Sequence, residues 1–578
     1  MKSIHLVFRL LAFCCNWYAS FETRCKPCVC TKTMASLPSS DDRYLVLVEF
    51  AHKHLGFQLA ELESVLDMYG IQIGGRDCQV VPLPQNRSSQ DEDSVIQKRS
   101  FIILSFPIQY ANSLAKRDES TGKWDCSSRV RKTCGIGEML TRCTLVRSTV
   151  ELWGYATSME ECAKSTSTWV KNAKMGKAIF DEVSGATKSW KVTVHTLGAK
   201  YSREEQDDMR KKFSYLGFQG SVQMKDPDNE YILIREIELD DKGSPLYPRH
   251  HHGKQLIPEN DARPPLAVYF GRVLAGIRKG RGGLEQYNLR HRVYLGPTSM
   301  DAELSFVMTS FGQVQKGSIV FDPFVGTGSI LLSCALRGAY CVGADIDIRV
   351  LRGKKDGKET IWKNFEQFNL QRPEILRTDN AIYHRHFRSH QPLYDAIVCD
   401  PPYGIRAGAR KTGSKLDEPR PILDEHRHDH IAQTKPYPVC DVMSDLLDMA
   451  ARTLVMGGRL VYVIPSFADF NPDTDLPRHD CLEIVHSCYQ PLSLELGRRI
   501  VAMEKVTYYD TSLRNKYMEK VWVNGKESAE KCANLREKIW EAAKRKPGYE
   551  EKAAIRKQKR KATKEAKKRA KAKVLTSS

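Results

Sequence analysis

Asp400-Pro401-Pro402-Tyr403 follows the apolar run Tyr394-Asp395-Ala396-Ile397-Val398-Cys399, so a carboxylate, a stiff turn and an aromatic ring stand together at the end of a strand-like segment. An exocyclic nucleobase amine delocalises its lone pair into the ring and is a poor nucleophile. Acceptors must therefore hold both of its N–H groups while the nitrogen faces an electrophile. The Asp400 carboxylate and the Pro401 carbonyl can do this, Pro401 and Pro402 together stiffen the loop, and Tyr403 can stack on a flat base. With a sulfonium methyl as electrophile, transfer is a direct displacement in which the amine loses its proton afterwards, and neither a covalent nucleophile nor a metal is required.

A second constellation could hold such a donor. Ser318 to Asp322 reads as a strand feeding Asp322-Pro323-Phe324-Val325-Gly326-Thr327-Gly328, and Ile330 to Arg337 as a helix closed by Gly338. Glycines let a backbone pass close to a cofactor at the carboxyl end of a first strand, which makes Asp322, Phe324, Gly326, Thr327 and Gly328 candidate cofactor contacts. A dinucleotide-binding G-x-G-x-x-G would need glycine at 331, where Leu331 stands, so a nicotinamide dinucleotide is disfavoured. The next strand, Tyr340 to Ala344, ends at Asp345, 17 residues past Gly328, where an acid can accept from two ribose hydroxyls; Asp347 is the alternative. A third strand, Glu374 to Arg377, runs into Thr378-Asp379-Asn380, where Asp379 either accepts from an adenine amine or merely caps a turn.

Beyond the proline loop, Arg406, Arg410, Lys411 and Lys415 form a cationic stretch that could hold phosphates. His250-His251-His252, the spaced His426, His428 and His430 with Cys440, and Cys25, Cys28 and Cys30 resemble fragments of metal sites, but none has a completed ligand set, and no metal is assigned.

These residues need a frame, and the 578-residue chain has one: 41% hydrophobic and 28% charged side chains exclude a wholly disordered or fibrous protein. Segments of strand and helix character alternate from 267 to 510, the pattern of an open α/β sheet, with Val439 to Val455 as a core helix and later strands at Leu460 to Ile464, Cys481 to Cys488 and Ile500 to Tyr508. Upstream, Tyr44 to Phe50 and Phe101 to Phe106 read as strands around a helix carrying Leu59, Leu62, Val65, Leu66 and Tyr69. Between 189 and 239 the pattern is a strand at Trp190, a helix capped by Ser202, and a hairpin of Phe218 to Met224 with Tyr231 to Leu239. Lys+Arg 89 against Asp+Glu 70 gives +19, of which residues 544 to 573 supply 12, and such a balance fits a polyanion partner. The 17 cysteines lack regular spacing, as in reduced thiols, and no segment is apolar enough to span a bilayer. Lys2 to Phe13 imitates a signal sequence interrupted by Arg9, and the mature cytoplasmic chain is expected to begin near Ala35.

Asp322 to Ser329, Gly343-Ala344-Asp345-Ile346-Asp347 and Asp400-Pro401-Pro402-Tyr403-Gly404-Ile405-Arg406 resemble the class I S-adenosylmethionine-dependent amino-methyltransferases. Three further segments, Thr298 to Leu304, Gly457 to Tyr462 and Arg498 to Val506, resemble more narrowly the eukaryotic tRNA guanosine-10 N2-methyltransferase catalytic subunits. The resemblance implies an N-terminal ferredoxin-like domain over 41–105, a THUMP RNA-binding domain over 106–240, a linker over 241–266 and a Rossmann-like methyltransferase domain over 267–510. An extension over 1–40 and a helical, lysine-rich tail over 511–578 flank these. It also implies S-adenosyl-L-methionine as cofactor, tRNA as substrate and a small zinc-binding activator subunit as partner. The same residue chemistry would serve a DNA adenine or protein glutamine amino-methyltransferase, and an RNA-binding scaffold without catalysis is the remaining alternative.

Overall fold

The computed structural model describes residues 43–51, 54–84, 100–107, 135–197, 201–237, 265–275, 284–296, 299–354, 357–387, 392–402, 408–413, 433–467, 470–492 and 496–523, with 525, 544, 555 and 558. The extension before 43, the His250 triplet, His426 to His430 and most of the lysine-rich tail beyond 523 lie outside them. The chain folds as two compact units.

The first unit is built on a seven-stranded sheet of β1 (Arg43–Phe50), β2 (Gln79–Val81), β3 (Phe101–Pro107), β4 (Val146–Ala156), β5 (Trp190–Leu197), β6 (Asn229–Glu236) and β7 (Ala267–Ala275), in the order β2-β3-β1-β4-β7-β6-β5. Only β5 and β6 run parallel to each other. Helices Gln58–Asp67 and Ile136–Thr141 bury Leu62, Val65, Leu66 and Leu140 against β1 and β3. Helices Met159–Asn172 and Lys174–Val183 cover Trp153, which stacks on Trp169 with ring centroids 5.4 Å apart. Glu151, 1% exposed inside this sheet, is tolerated because it accepts from Tyr44 Oη and Trp153 Nε1, each at 2.7 Å, and pairs with Arg272 at 2.9 Å.

Two expectations change here. Residues 267–275, expected to belong to the second domain, form β7 between β4 and β6 of the first sheet, and β1 pairs with both β3 and β4, so residues 41–105 and 106–240 share one sheet. A local apolar run such as Val268-Tyr269-Phe270 announces a buried strand but not its partner. The hairpin is also absent: residues 218–224 make a single bridge, Trp190 to Val222, while β6 pairs with β5 and β7. The turn residues read as a hairpin loop act elsewhere, for Asp228 accepts from Ser189 N and Oγ at 2.8 and 2.7 Å and so starts β6 beside β5.

The second unit carries β8 (Ile319–Asp322), β9 (Tyr340–Asp345), β10 (Glu374–Arg377), β11 (Tyr394–Cys399), the small hairpin β12 (Arg410–Thr412) and β13 (Thr434–Pro436), then β14 (Leu454–Phe467), β15 (Leu482–Pro491) and β16 (Leu496–Lys505). Its main sheet has the order β10-β9-β8-β11-β14-β16-β15, parallel except for β16, which is antiparallel to both neighbours. Helix Val439–Thr453 lays Met443, Leu446, Leu447, Met449 and Ala450 into the core with Phe321, Ile397, Leu460 and Tyr462. Strand order reverses at β8, with β9 and β10 to one side and β11 and β14 to the other. In a sheet of this kind the crevice opens between the carboxyl ends of the two strands at the reversal, here β8 and β11.

Candidate active site

Three aspartates stand at that crevice: Asp322 ends β8, Asp345 ends β9 and Asp400 directly follows β11. Asp322 is 2% exposed, and its carboxylate accepts from Phe324 N at 2.9 Å. Burial pushes its carboxyl well above the usual range, the Phe324 bond opposes this, and the charges of Asp345 and Asp400 add to it. Carboxylates that repel one another in this way make a floor where a cation is favoured.

Asp345 accepts from Gly326 N at 3.1 Å and Asp347 N at 2.9 Å, while burial raises its pKa against those bonds. Its oxygens keep further lone pairs for a ligand hydroxyl. Asp347, the alternative, is engaged otherwise: it caps helix Ile348–Arg352 through Arg349 N at 3.0 Å and pairs with the Arg349 guanidinium at 2.7 Å, which holds its carboxyl low.

Between β8 and helix Ser329–Leu336 the chain turns through Gly326 and Gly328 at φ of 51° and 78°. A Cβ on Gly328 would lie 2.9 Å from Ile361 Cγ2. Thr327 Oγ1 is hydrogen-bonded to Ser299 Oγ at 2.8 Å, and Ser299 Oγ accepts from Gly296 N at 3.0 Å, so the chain at Gly296 and Ser299, ahead of β8, clasps the turn. Asn364, 1% exposed, donates to Tyr294 O at 2.8 Å and Thr327 O at 3.4 Å and accepts from Tyr294 N at 2.8 Å. Sequence reasoning missed Asn364, although an amide set among Ile361, Trp362 and Phe365 was the available signal.

Asp379 is 7% exposed and accepts from Ala381 N at 3.0 Å and Thr412 N at 2.6 Å. It therefore does cap a turn, and it also latches β12 to the end of β10. Asn380 Nδ2 donates to Pro323 O at 2.5 Å, and Ala409, Tyr437 and Val442 pack with Phe324 and Ala381, so the hairpin forms one wall of the crevice. Arg410 is exposed and donates to Thr434 Oγ1 and to the Thr434 carbonyl. Lys411, expected to meet phosphate, instead turns onto the protein: it pairs with Asp441 at 3.4 Å and sits 5.0 Å above the Tyr437 ring. Pro401 is buried and Pro402 half-buried, whereas Tyr403, Arg406 and Lys415 lie outside the described residues. Among the described residues, no group of three or more His, Cys, Asp or Glu side chains is placed to hold a metal ion.

Beneath the crevice, Asp448 gathers Tyr383, Tyr509 at 3.1 Å, His479 at 3.5 Å and Arg514 at 3.5 Å. Tyr383 lies in the short helix Asn380–Arg385 that Asp379 caps, so this buried cluster anchors the crevice wall to helix Val439–Thr453.

Residues 126–276 match the family described as the Tmrp11 THUMP N-terminal domain, a match ending one residue after β7, and residues 290–419 match the RMKL-like methyltransferase domain family. The tRNA (guanine(10)-N(2))-methyltransferase TRMT11 of Homo sapiens is 34% identical over 484 residues, 81% of this chain and 89% of that protein. Its namesake in Dictyostelium discoideum is 34% identical over 479 residues, 81% of this chain and 84% of that protein. Among solved structures, TrmN from Thermus thermophilus is 15% identical, covering 80% of this chain and 100% of its own, at a TM-score of 0.34, a likeness too loose to carry weight. With one third of its residues identical over most of both chains, this chain belongs to the family of the TRMT11 tRNA (guanine(10)-N(2))-methyltransferases.

Proposed function

We propose that the chain transfers a methyl group from S-adenosyl-L-methionine to the exocyclic N2 of guanosine 10 in tRNA. The observation that carries this reading is the convergence of Asp322, Asp345 and Asp400 at the strand-order reversal, with Asp400-Pro401-Pro402 on the acceptor side and the glycine turn on the donor side. The residues present fit the donor: the acidic floor favours a sulfonium cation, and Gly326 and Gly328, both at positive φ, form a turn in which a side chain at 328 would press on Ile361. When bound, that cofactor supplies an electrophilic methyl group.

The chain's own residues do the rest. Asp345 serves the ribose hydroxyls and Asp379 the adenine amine, with Asp322, Phe324, Gly326, Thr327 and Gly328 lining the turn. Asp400 and the Pro401 carbonyl accept both N–H bonds of the guanine amine and aim its nitrogen, Pro402 keeps the loop stiff, and Tyr403 stacks on the base. Arg406 and Arg410 meet RNA phosphates, while Lys411 steadies the hairpin that carries Arg410. The first unit contributes the grip on tRNA expected of a THUMP domain. β10 is an edge strand with Leu376 44% exposed, and strand addition there suits the small zinc-binding activator subunit. Unbridged, mostly buried thiols such as Cys334, Cys399 and Cys481 suit the cytoplasm. Among the described residues no helix is long and apolar enough to cross a membrane.

Methyl transfer should be measured with the active full-length chain on tRNA carrying guanosine or inosine at position 10, on duplex DNA and on a glutamine-bearing protein. N2-methylguanosine in the first substrate only is the expected result, because inosine lacks the amine. Transfer to DNA adenine or protein glutamine would replace this reading with the other amino-methyltransferase, and tRNA binding without any transfer would leave an RNA-binding scaffold.

A further inference from the structure

Gly497-Arg498-Arg499 follows the first residue of β16, and the transfer chemistry gives it no role. β16 is antiparallel to β14, with Arg498 opposite Pro465 and Arg499 opposite Ile464, while Cys399 of β11 is opposite Tyr462. The amino end of β16 therefore lies at the carboxyl ends of the parallel strands, on the crevice side. Arg499 is 4% exposed and lies 5.3 Å from the ring centroids of both Phe470 and Tyr489. A Cβ on Gly497 would come within 2.2 Å of Tyr489 Cε2, so the glycine makes room for that ring. Successive side chains of a strand point to opposite faces, which sends Arg498 the other way.

There the Arg498 guanidinium is half-buried and oriented by two polar contacts. Its Nε donates to Gln490 Oε1 at 2.7 Å, and its Nη1 points at Met300 Sδ at 3.8 Å, a weak acceptor. Among the described residues no carboxylate lies within ion-pair distance of it. Met300 adjoins Ser299, which is bonded to Thr327 of the glycine turn, so this cation sits beside the segment that clasps the crevice. Fixing Nε leaves N–H bonds of both terminal nitrogens for an anion with the fork geometry that guanidinium presents to phosphate.

We infer that Arg498 binds a backbone phosphate next to the target nucleotide, an inference that rests on the RNA-methyltransferase reading. Sheet order separates the donor half, β8, β9 and β10, from the half that begins at Asp400 after β11. β16 lies two strands beyond β11 on that second half, on the order of 10 Å across, a distance comparable with the span of one nucleotide. The acidic floor repels phosphate, so a base delivered to Asp400 brings its phosphates to the rim, where a cation is needed. A guanine amine that takes part in pairing is reached by extruding the nucleotide, and a phosphate contact helps offset the lost stacking.

The test pairs Arg498→Ala and Arg498→Lys in the active full-length chain with tRNAs bearing single neutral methylphosphonates around the target. Removing a charge-assisted contact should lower kcat/KM for tRNA about 10- to 100-fold, mostly through KM, with Lys restoring part of it. The slope of tRNA affinity against salt should fall by about 1, and donor affinity and melting temperature should stay at wild-type values. One methylphosphonate position should impair the wild type and add nothing to the Arg498→Ala defect. Additive defects at every position, or a loss confined to donor affinity, would overturn the inference. Failure of the wild type to methylate tRNA would instead sink the reading beneath it.

Discussion

Asp379 is expected to act twice, and replacing it should separate the two actions. Its carboxylate satisfies Ala381 N at the start of a short helix and Thr412 N at the end of β12, in a site 7% exposed. Losing a capping acceptor costs about 1 kcal/mol, and losing a buried charge-assisted bond to Thr412 costs about 1.5–3 kcal/mol. Asp379→Ala should therefore lower the stability of the second unit by about 2–4 kcal/mol, or its melting transition by about 5–10 °C. Asp379→Asn keeps one carbonyl acceptor and should recover about half. Because the latch holds the hairpin carrying Arg410, tRNA turnover should fall further than donor affinity in both variants. Differential scanning calorimetry with donor titration reads stability and donor affinity, and a tRNA methyl-transfer assay reads turnover. An unshifted transition in Asp379→Ala would refute the latch, and an Asn variant as damaged as the Ala variant would show that the acceptor count is not what matters.

Other consequences are equally specific. His486, 5% exposed beside Arg459, has its pKa lowered to about 3 by burial and then by that charge. The unfolded chain takes up this proton below about 6.5 and the folded chain does not, so stability falls as pH drops from about 6.5 toward 3. His486→Gln should remove about 2 kcal/mol of the loss between pH 7.5 and 5 in denaturant titrations, and an unchanged pH dependence would contradict this. Gly328→Ala forces a side chain at φ of 78° against Ile361, while at Gly326 the nearest atom to an added Cβ is 3.9 Å away. Both substitutions cost about 1–2 kcal/mol of backbone strain, and Gly328→Ala should cost more and weaken donor binding by about tenfold, measured by calorimetric titration. Equal effects at the two glycines would show that space around the turn is irrelevant.

Sequence reasoning reached what is local. Glu374–Arg377 and Tyr394–Cys399 were legible as strands to the residue, because Ile375-Leu376 and Ala396 to Cys399 are apolar and each segment is stopped by its own turn chemistry, and the acids at their ends follow directly from the motifs. The same reading could not assign β7 to a sheet, since Ala267 to Ala275 is equally apolar whichever neighbour it meets. Residues 218–224 alternate like a strand, yet Val222 and Met224 are 62% and 76% exposed, because β5 had already taken the edge of β6. Lys411 carries the charge of a phosphate contact, but Asp441 and Tyr437, 30 and 26 residues later in the chain, claim it. Polar partners brought together only by folding, such as Ser299 with Thr327 and Asp448 with Tyr383, were beyond the reach of spacing.

Single-turnover methyl transfer by Asp400→Ala, alongside direct binding of donor and tRNA, tests the central claim that the strand-end carboxylate aims the amine. Most tRNA affinity comes from phosphate contacts elsewhere, so both affinities should stay within a few-fold of wild type. The transfer rate should fall by about 10² or more, since a misaimed amine forfeits the orientation on which the displacement depends. Asp345→Ala should behave oppositely, losing donor affinity and regaining rate at saturating donor. Near-normal transfer by Asp400→Ala would contradict the account, and the chain would then have to be regarded as an RNA-binding protein whose Asp-Pro-Pro loop is only a turn.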